Sequence, residues 1–427
     1  MKYAITTLGC KVNQFETQAI EAILLRHGHV PTDAGDADAV IVNTCAVTAE
    51  SGRKSRQAVR RMLAENPGAI AAVCGCFFQI EPDAAEALGA AVVFGSGDRA
   101  KFAEALEEAV LAKKAIRQID DPFRRTEMEL LPGGALEGRT RAYLKIEDGC
   151  DNFCTYCIIP YARGRVRSMP VAAAAAEAAR LQSEGFREII VTGIEISSYG
   201  KDFRDGSGLA DVLCAIAAAA PHTRIRIGSL EPTVVTADFC RRLSAAGNIC
   251  RHFHLSLQSG CDKTLAAMHR KYDTARFSNA AALLREAFPG CALTADLITG
   301  FPGETDADFS ATLAFLREIG FAAMHVFPYS VRPGTKAAAL PEQLTHAVKD
   351  ARAREAQTLA AELQRDYLDA QIGRILPVLF ETEQADGWHG HSDNYCEVCA
   401  VGEKLHGIMK NVKITARNGE KLIGIIV

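Results

Sequence analysis

The chain has 427 residues, too many for one ordinary hydrophobic core, so two or three domains are expected. Apolar residues make up 48% and charged residues 23%, a balance that suits a soluble globular protein and excludes a long disordered tract. The formal net charge of -4 gives no global footprint of a nucleic-acid partner, and no apolar run is long enough to span a bilayer. The start MKYAITTLGCKVNQ lacks the basic and apolar regions of a signal peptide, so a cytoplasmic location without a membrane partner is expected. Fourteen cysteines in that compartment point to metal binding, catalysis or burial rather than to disulfides.

The first hundred residues alternate apolar strands with amphipathic helices. KYAITTL is followed by a helix from about Glu16 to His27, then ADAVIVNTC, a basic helix, AIAAVCGC, a further helix and AAVVFGS. This rhythm predicts a doubly wound α/β domain over residues 1–115, whose ligands collect outside the carboxyl ends of the strands. Cys10, Cys45 and Cys76 all stand at such ends. Cys74, still inside its strand, reads as a wall residue, although it could substitute for Cys76 as a ligand. Residues 116–140 are polar, broken by Pro and Gly and poorly periodic, which marks an interdomain connection.

Residues 141–368 open with AYLKIEDGC and repeat strand, loop and helix through EIIVTGIEI, RIRIGSLEP, HFHLSLQSG, LTADLITGFPG and AAMHVFPYS. Six strands alternating with helices predict a partial (β/α)6 barrel with its chemistry at the strand carboxyl ends. Its first loop, GCDNFCTYCIIPYARGR, carries Cys150, Cys154 and Cys157 as Cys-x3-Cys-x2-Cys. Three thiolates on one loop can each bind one iron of a cubane cluster, and no fourth cysteine follows at ferredoxin-like spacing. One iron is then open to a small molecule such as S-adenosylmethionine (SAM), whose amino and carboxylate groups chelate a metal. Zinc fits less well, since it prefers four protein ligands and paired Cys-x2-Cys knuckles. Tyr156, between the cysteines, offers a ring for a nucleotide base.

Residues 369–427 change style to short β runs and Gly turns, with Asn418-Gly419 as a hairpin signal, and predict a small β-barrel. Cys396 and Cys399 point to opposite faces of a strand, which favours burial over a zinc half-site. Basic residues gather in three places: the run RKSRQAVRR from Arg53 to Arg61, the trio Arg163, Arg165 and Arg167, and the segment from Lys404 onward. Such runs usually solvate a helix face, but their position beside the cysteines points to nucleic acid.

TLGCKVNQFET, VNTCAVTAESGRKSRQ, CGCFFQ, GCDNFCTYCIIPYARGR, HFHLSLQSGCDKTLAAMHRKY, DLITGFPGET and HVFPYSVRPGT together resemble the radical SAM methylthiotransferases along nearly the whole chain. The last sixty residues look like a TRAM domain, an RNA-binding β-barrel. GCKVNQ-x-E and HVFPYS resemble the branch that acts on N6-threonylcarbamoyladenosine in tRNA, 3′ of the anticodon, at position 37. The resemblance implies two 4Fe-4S clusters: one on Cys150, Cys154 and Cys157 that cleaves SAM, and an auxiliary one on Cys10, Cys45 and Cys76 that holds sulfur. It places Tyr156 near the adenine and gives Gly193 and Glu195 the methionine amino group. Ser256 and Gln258 go to the carboxylate or ribose, and Gly303 to the loop over the adenine. Relatives often carry His or Asn in place of Glu195. No catalytic residue beyond the clusters is implied. Partners would be tRNA, an external reductant and, as a further candidate, a sulfur donor. The same resemblance leaves three rivals: action on isopentenyladenosine in tRNA, action on a ribosomal-protein aspartate, and a non-enzymatic iron-sulfur RNA-binding protein.

Overall fold

In the computed structural model, which describes residues 1–133 and 140–427, the apolar runs of the N-terminal segment become strands of one parallel sheet. In chain order the elements are β1 (Lys2–Thr7), α1 (Lys11–Arg26), β2 (Val30–Pro31), β3 (Ala39–Thr44), α2 (Ala49–Glu65) and β4 (Ile70–Gly75). They continue with α3 (Cys76–Ile80), α4 (Asp83–Glu86), β5 (Val92–Phe94), α5 (Arg99–Ala112) and β6 (Ile116–Gln118). The sheet order is β2-β1-β3-β4-β5-β6. Every residue of β3 is buried, as a central parallel strand covered on both faces requires. α1 and α5 cover one face with Phe15, Ile20, Leu24, Phe102 and Leu106. α2 and α3 cover the other with Val59, Met62 and Phe77. The doubly wound expectation is met. β6 lies within the expected connection: three residues show no periodicity, yet their backbone completes the open edge of β5. Residues 134–139 of that connection lie outside the described residues.

Six parallel strands of the second domain form two three-stranded sheets. Arg141–Lys145, Glu188–Thr192 and Arg224–Ile227 make the first, and His252–Gln258, Ala292–Thr299 and Ala323–Pro328 the second. Two isolated parallel bridges, Ile225 to Ile249 and Leu230 to Leu255, carry the barrel across the seam. Strand alternation decides what faces the interior. Phe253, Leu255 and Leu257 pack into the core shared with the surrounding helices, as do Leu293, Ala295 and Leu297. His252, His254, Ser256, Thr294 and Asp296 are thereby turned the other way, towards the lumen.

The C-terminal strands Ile375–Gln384, Gly387–Ser392, Glu397–Ala400, Lys421–Ile426 and Met409–Asn418 close into a barrel in that order. The hairpin at Asn418-Gly419 joins the last two, with Gly419 at φ +61°. Cys396 and Cys399 are both buried. This barrel seats on the amino ends of the (β/α)6 strands. Buried Glu188 accepts from Arg224 Nε at 2.5 Å and Arg226 Nε at 2.8 Å. Those arginines in turn donate to the carbonyls of His391 and Ser392 at 2.9 and 3.2 Å. Arg251 pairs with Asp393 at 2.6 Å, and Arg141 Nε donates to Glu381 at 2.7 Å. The carboxyl ends of the barrel strands, with the Cys150 loop, are left facing the N-terminal domain.

Candidate functional site

Cys10 stands before the first turn of α1, Cys45 directly follows β3, and Cys76 opens α3. Backbone geometry at the preceding glycines brings them together. Gly9 and Gly75 adopt φ of +106° and +102°, where side chains are strained. A Cβ on Gly9 would lie 2.7 Å from Cβ of Cys45, and one on Gly75 only 2.4 Å from the Thr44 carbonyl. Asn13 fastens the same turns by donating to the carbonyls of Leu8 and Thr44 at 2.8 and 2.9 Å. The three cysteines line one cavity of about 640 Å3. Cys74 does not; it is fully buried in the core under α1 and α5. Burial pushes the Cys76 thiol up to about 11, against the pull of Arg163.

Arg163 donates from Nε to Cys76 Sγ at 3.1 Å. Its other nitrogens reach Asn13 Oδ1 at 3.0 Å and the carboxylate of Glu16. Glu16, also buried, accepts from Arg99 at 2.8 Å and Lys145 at 2.9 Å, and Lys145 reaches Asp148 at 2.8 Å. Burial opposes ionisation of Glu16, but Arg163, Arg99 and Lys145 hold it well below the usual carboxylate range. Burial likewise opposes ionisation of Asp148, and Lys145, Arg163 and Arg167 bring it to about 2. This network corrects one expectation. Arg163 and Arg167 are buried and cannot meet tRNA phosphates. Arg167 donates to the carbonyls of Arg163 and Arg165. Only Arg165 of the trio is exposed, and it pairs with Asp151 at 3.2 Å. The cause is a buried carboxylate that needs cations around it, supplied from across the domain boundary.

The Cys150 loop is built on Gly149, at φ +90°, where a Cβ would fall 1.9 Å from the Arg165 carbonyl. Cys150 N–H donates to the Gly164 carbonyl at 3.0 Å and Cys157 N–H to that of Cys154 at 2.9 Å. Sulfur acceptors are served here too: Asn152 N–H donates to Cys150 Sγ at 3.5 Å and Arg270 Nη1 to Cys154 Sγ at 3.2 Å. Burial raises the Cys150 thiol strongly and the Cys157 thiol to about 12. Each triad thus offers three soft sulfur donors with a buried guanidinium aimed at one of them. That donor chemistry fits an iron-sulfur cluster, whose sulfurs are tuned by hydrogen bonds.

Of the residues expected at SAM, Gly193, Glu195 and Ser256 line the same cavity as Cys10, Cys45 and Cys76. Glu195 N–H donates to Glu147 Oε2 at 2.7 Å, and its side chain accepts from Ser197 N–H at 3.2 Å. Burial, with Glu231 nearby, pushes the Glu195 carboxyl up to about 7 against Arg270. A Cβ on Gly193 would lie 2.7 Å from Ile196 Cγ2 and 2.9 Å from the Glu147 carbonyl, so a side chain there would crowd the backbone. Tyr156, Gln258 and Gly303 do not line this cavity. Tyr156 packs against a small core of Met268, Phe301, Tyr329 and Ala337 beside the cysteine loop. Gln258 occupies φ +65° at a bulge of its strand, and Gly303, at φ +76°, accepts from Lys263 Nζ at 3.3 Å. Sequence reasoning missed Glu147, the buried pair of Arg270 and Glu231 at 3.0 Å, and the cavity residues Lys11, His254, Asp296 and His325. The polar positions alternating in HFHLSLQ and LTADLIT were a usable signal for His254 and Asp296. Nothing local marked Glu147.

Residues 144–316 match the Radical SAM superfamily, and residues 2–95 match the family described as Uncharacterized protein family UPF0004. The threonylcarbamoyladenosine tRNA methylthiotransferase MtaB of Bacillus subtilis (strain 168) is 36% identical over 420 residues, covering 96% of this chain and 93% of its own. The MtaB protein of Thermotoga maritima is 34% identical, with 98% and 95% covered. A tRNA-2-methylthio-N(6)-dimethylallyladenosine synthase of Pelotomaculum thermopropionicum is also 34% identical, with 100% and 97% covered. Among solved structures, the radical S-adenosylmethionine methyltransferase TsrM of Kitasatospora setae shares the fold at a TM-score of 0.59 and 17% identity, covering 79% of this chain and 77% of that one. With paired cysteine triads at facing strand ends and full-length relatives of this kind, the chain belongs to the radical SAM methylthiotransferase family.

Proposed function

We propose that this enzyme attaches a methylthio group to C2 of N6-threonylcarbamoyladenosine at position 37 of tRNA. The observation that carries the reading is the shared cavity: Cys10, Cys45 and Cys76 open onto the same space as Gly193, Glu195 and Ser256. Residues 1–115 would hold an auxiliary cluster on Cys10, Cys45 and Cys76 as the place where sulfur is held. Residues 141–368 would hold a cluster on Cys150, Cys154 and Cys157, and residues 369–427 would hold RNA.

Adenine C2 carries a hydrogen with neither useful acidity nor a leaving group, so acid-base chemistry cannot place sulfur there. Bound to the thiolates, iron-sulfur clusters with SAM supply reductive cleavage of a carbon-sulfur bond and a site that holds sulfur. Glu195, when ionised, would accept from an N–H of the SAM amino group, with its backbone fixed by Glu147. Gly193 would let the ligand approach the backbone closely, and Tyr156, Gln258 and Gly303 would line its adenine and ribose side. Arg270 and Arg163 would steady one sulfur of each triad. An external reductant would deliver the electron, and a sulfur donor would refill the auxiliary site.

RNA would meet the exposed cations of α2, among them Lys54 beside a cavity it shares with Cys45, and Lys404, Lys410 and Lys413 on the C-terminal barrel. These contacts position the substrate rather than read its sequence. The test is mass spectrometry of tRNA nucleosides from cells with and without the gene. Loss of the 2-methylthio form of N6-threonylcarbamoyladenosine alone supports the reading. Loss of the isopentenyl product instead, or of a modified ribosomal peptide, overturns it.

A further inference from the structure

Lys11, the first residue of α1, lines three adjoining cavities of about 640, 360 and 400 Å3. The first is the cysteine cavity, and the other two lie in the barrel interior towards Tyr395 of the C-terminal barrel. Lys11 therefore stands where the sulfur side opens into the lumen. Its ammonium has no hydrogen bond or ion pair among the described residues. The carboxylates nearest in effect are Glu188 and Asp296, and both are engaged elsewhere. Glu188 holds Arg224 and Arg226, and Asp296 pairs with His254 at 3.3 Å. Arg226 and Arg141, the two arginines acting on Lys11, are taken by Glu188 and Glu381. Among the described residues Lys11 is thus the uncommitted cation of this group, facing a space large enough for part of a ligand.

A base that presents C2 to Cys10, Cys45 and Cys76 carries its N6 substituent away from that edge. In N6-threonylcarbamoyladenosine this substituent ends in a carboxylate and a hydroxyl. We infer that Lys11 is the recognition cation for that carboxylate, and that the lumen beside His254, Thr294 and His325 receives the threonyl group. This rests on the functional reading above and adds the group that tells this base from a neutral one. An ammonium with no carboxylate of its own gains from an anionic ligand, and a site built for a polar group rejects an analogue that lacks it.

The test is binding of anticodon stem-loop RNAs, measured by fluorescence anisotropy at one salt concentration. The loops carry N6-threonylcarbamoyladenosine, its carboxamide or unmodified adenosine. Wild-type protein is expected to favour the carboxylate loop over the carboxamide loop by about tenfold. Lys11→Gln should bring that ratio close to one, and Lys11→Arg should restore it. An unchanged ratio in Lys11→Gln overturns the assignment. The carboxamide comparison needs no variant, so a poorly folded Lys11→Gln protein leaves the test intact. No preference in the wild-type protein, with 2-methylthio product still formed on the threonylcarbamoyl loop, overturns the carboxylate subsite alone. Product on another base and none on this one overturns the reading beneath it.

Discussion

Arg163 donates to the sulfur of Cys76 at 3.1 Å while its remaining nitrogens hold Glu16 and Asn13. The segment that follows one cysteine triad is thereby hydrogen-bonded to the other, and the two halves of the site are held by one side chain. Arg163→Met should leave Glu16 buried with fewer cations, at a cost of roughly 3–5 kcal/mol. Chemical unfolding would measure it. Arg163→Lys should recover only part, because one ammonium cannot span three partners. In the double variant Glu16→Gln with Arg163→Met the losses should be far from additive.

Gly75 carries a second prediction. Its φ is +102°, and a Cβ there would stand only 2.4 Å from the Thr44 carbonyl, which leaves no room for a side chain. Gly75→Ala should displace Cys76 and empty the Cys10, Cys45 and Cys76 site, while Cys150, Cys154 and Cys157 keep theirs. Iron analysis after anaerobic reconstitution should then find about half the wild-type content, the share of one of two equal clusters. Wild-type content in this variant would contradict the reading.

Legibility followed the range of the interactions. β3 and the barrel strands were readable because a buried strand writes its periodicity into consecutive residues. The meeting of Cys10, Cys45 and Cys76 at one cavity was readable as well, from their place at strand ends. Arg163 was not, since its partner Glu16 lies 147 residues away and a run of arginines looks alike whether buried or exposed. β6 escaped for a related reason, being made by hydrogen bonds to an edge rather than by side chains. Lys11 lies within the conspicuous run GCKVNQ, but its meaning depends on cavities formed by residues from all three domains.

Glu195 gives the pH dependence. Its carboxyl is raised from the ordinary range to about 7, first by burial and then by Glu231. A raised carboxyl favours the protonated fold, so this group weakens stability progressively as pH climbs from its unfolded value, about 4.3, to about 7. SAM binding has the opposite sign, because the ionised carboxylate is the stronger acceptor for an N–H of the SAM amino group. Affinity for SAM should fall about tenfold between about pH 8 and pH 6, and Glu195→Gln should bind more weakly with a flat profile. Isothermal titration calorimetry across that range checks both statements.

Exposed and buried cations should separate in RNA binding. Lys410 and Lys413 are exposed on the C-terminal barrel and have no ion pair among the described residues. Changing either to Gln should lower the salt dependence of tRNA affinity by about one counterion each, with little effect on stability. Arg167→Gln, at a buried position, should destabilise the fold instead. Filter binding over a salt series, paired with thermal unfolding, separates the two outcomes.

The division of labour between the cysteine triads is tested most directly by reconstituted Cys45→Ser protein supplied with SAM, reductant and a stem-loop bearing N6-threonylcarbamoyladenosine. 5′-Deoxyadenosine and the 2-methylthio nucleoside are quantified in the same reaction. 5′-Deoxyadenosine should still form and the 2-methylthio nucleoside should not. Wild-type yields of the 2-methylthio nucleoside from Cys45→Ser would contradict it.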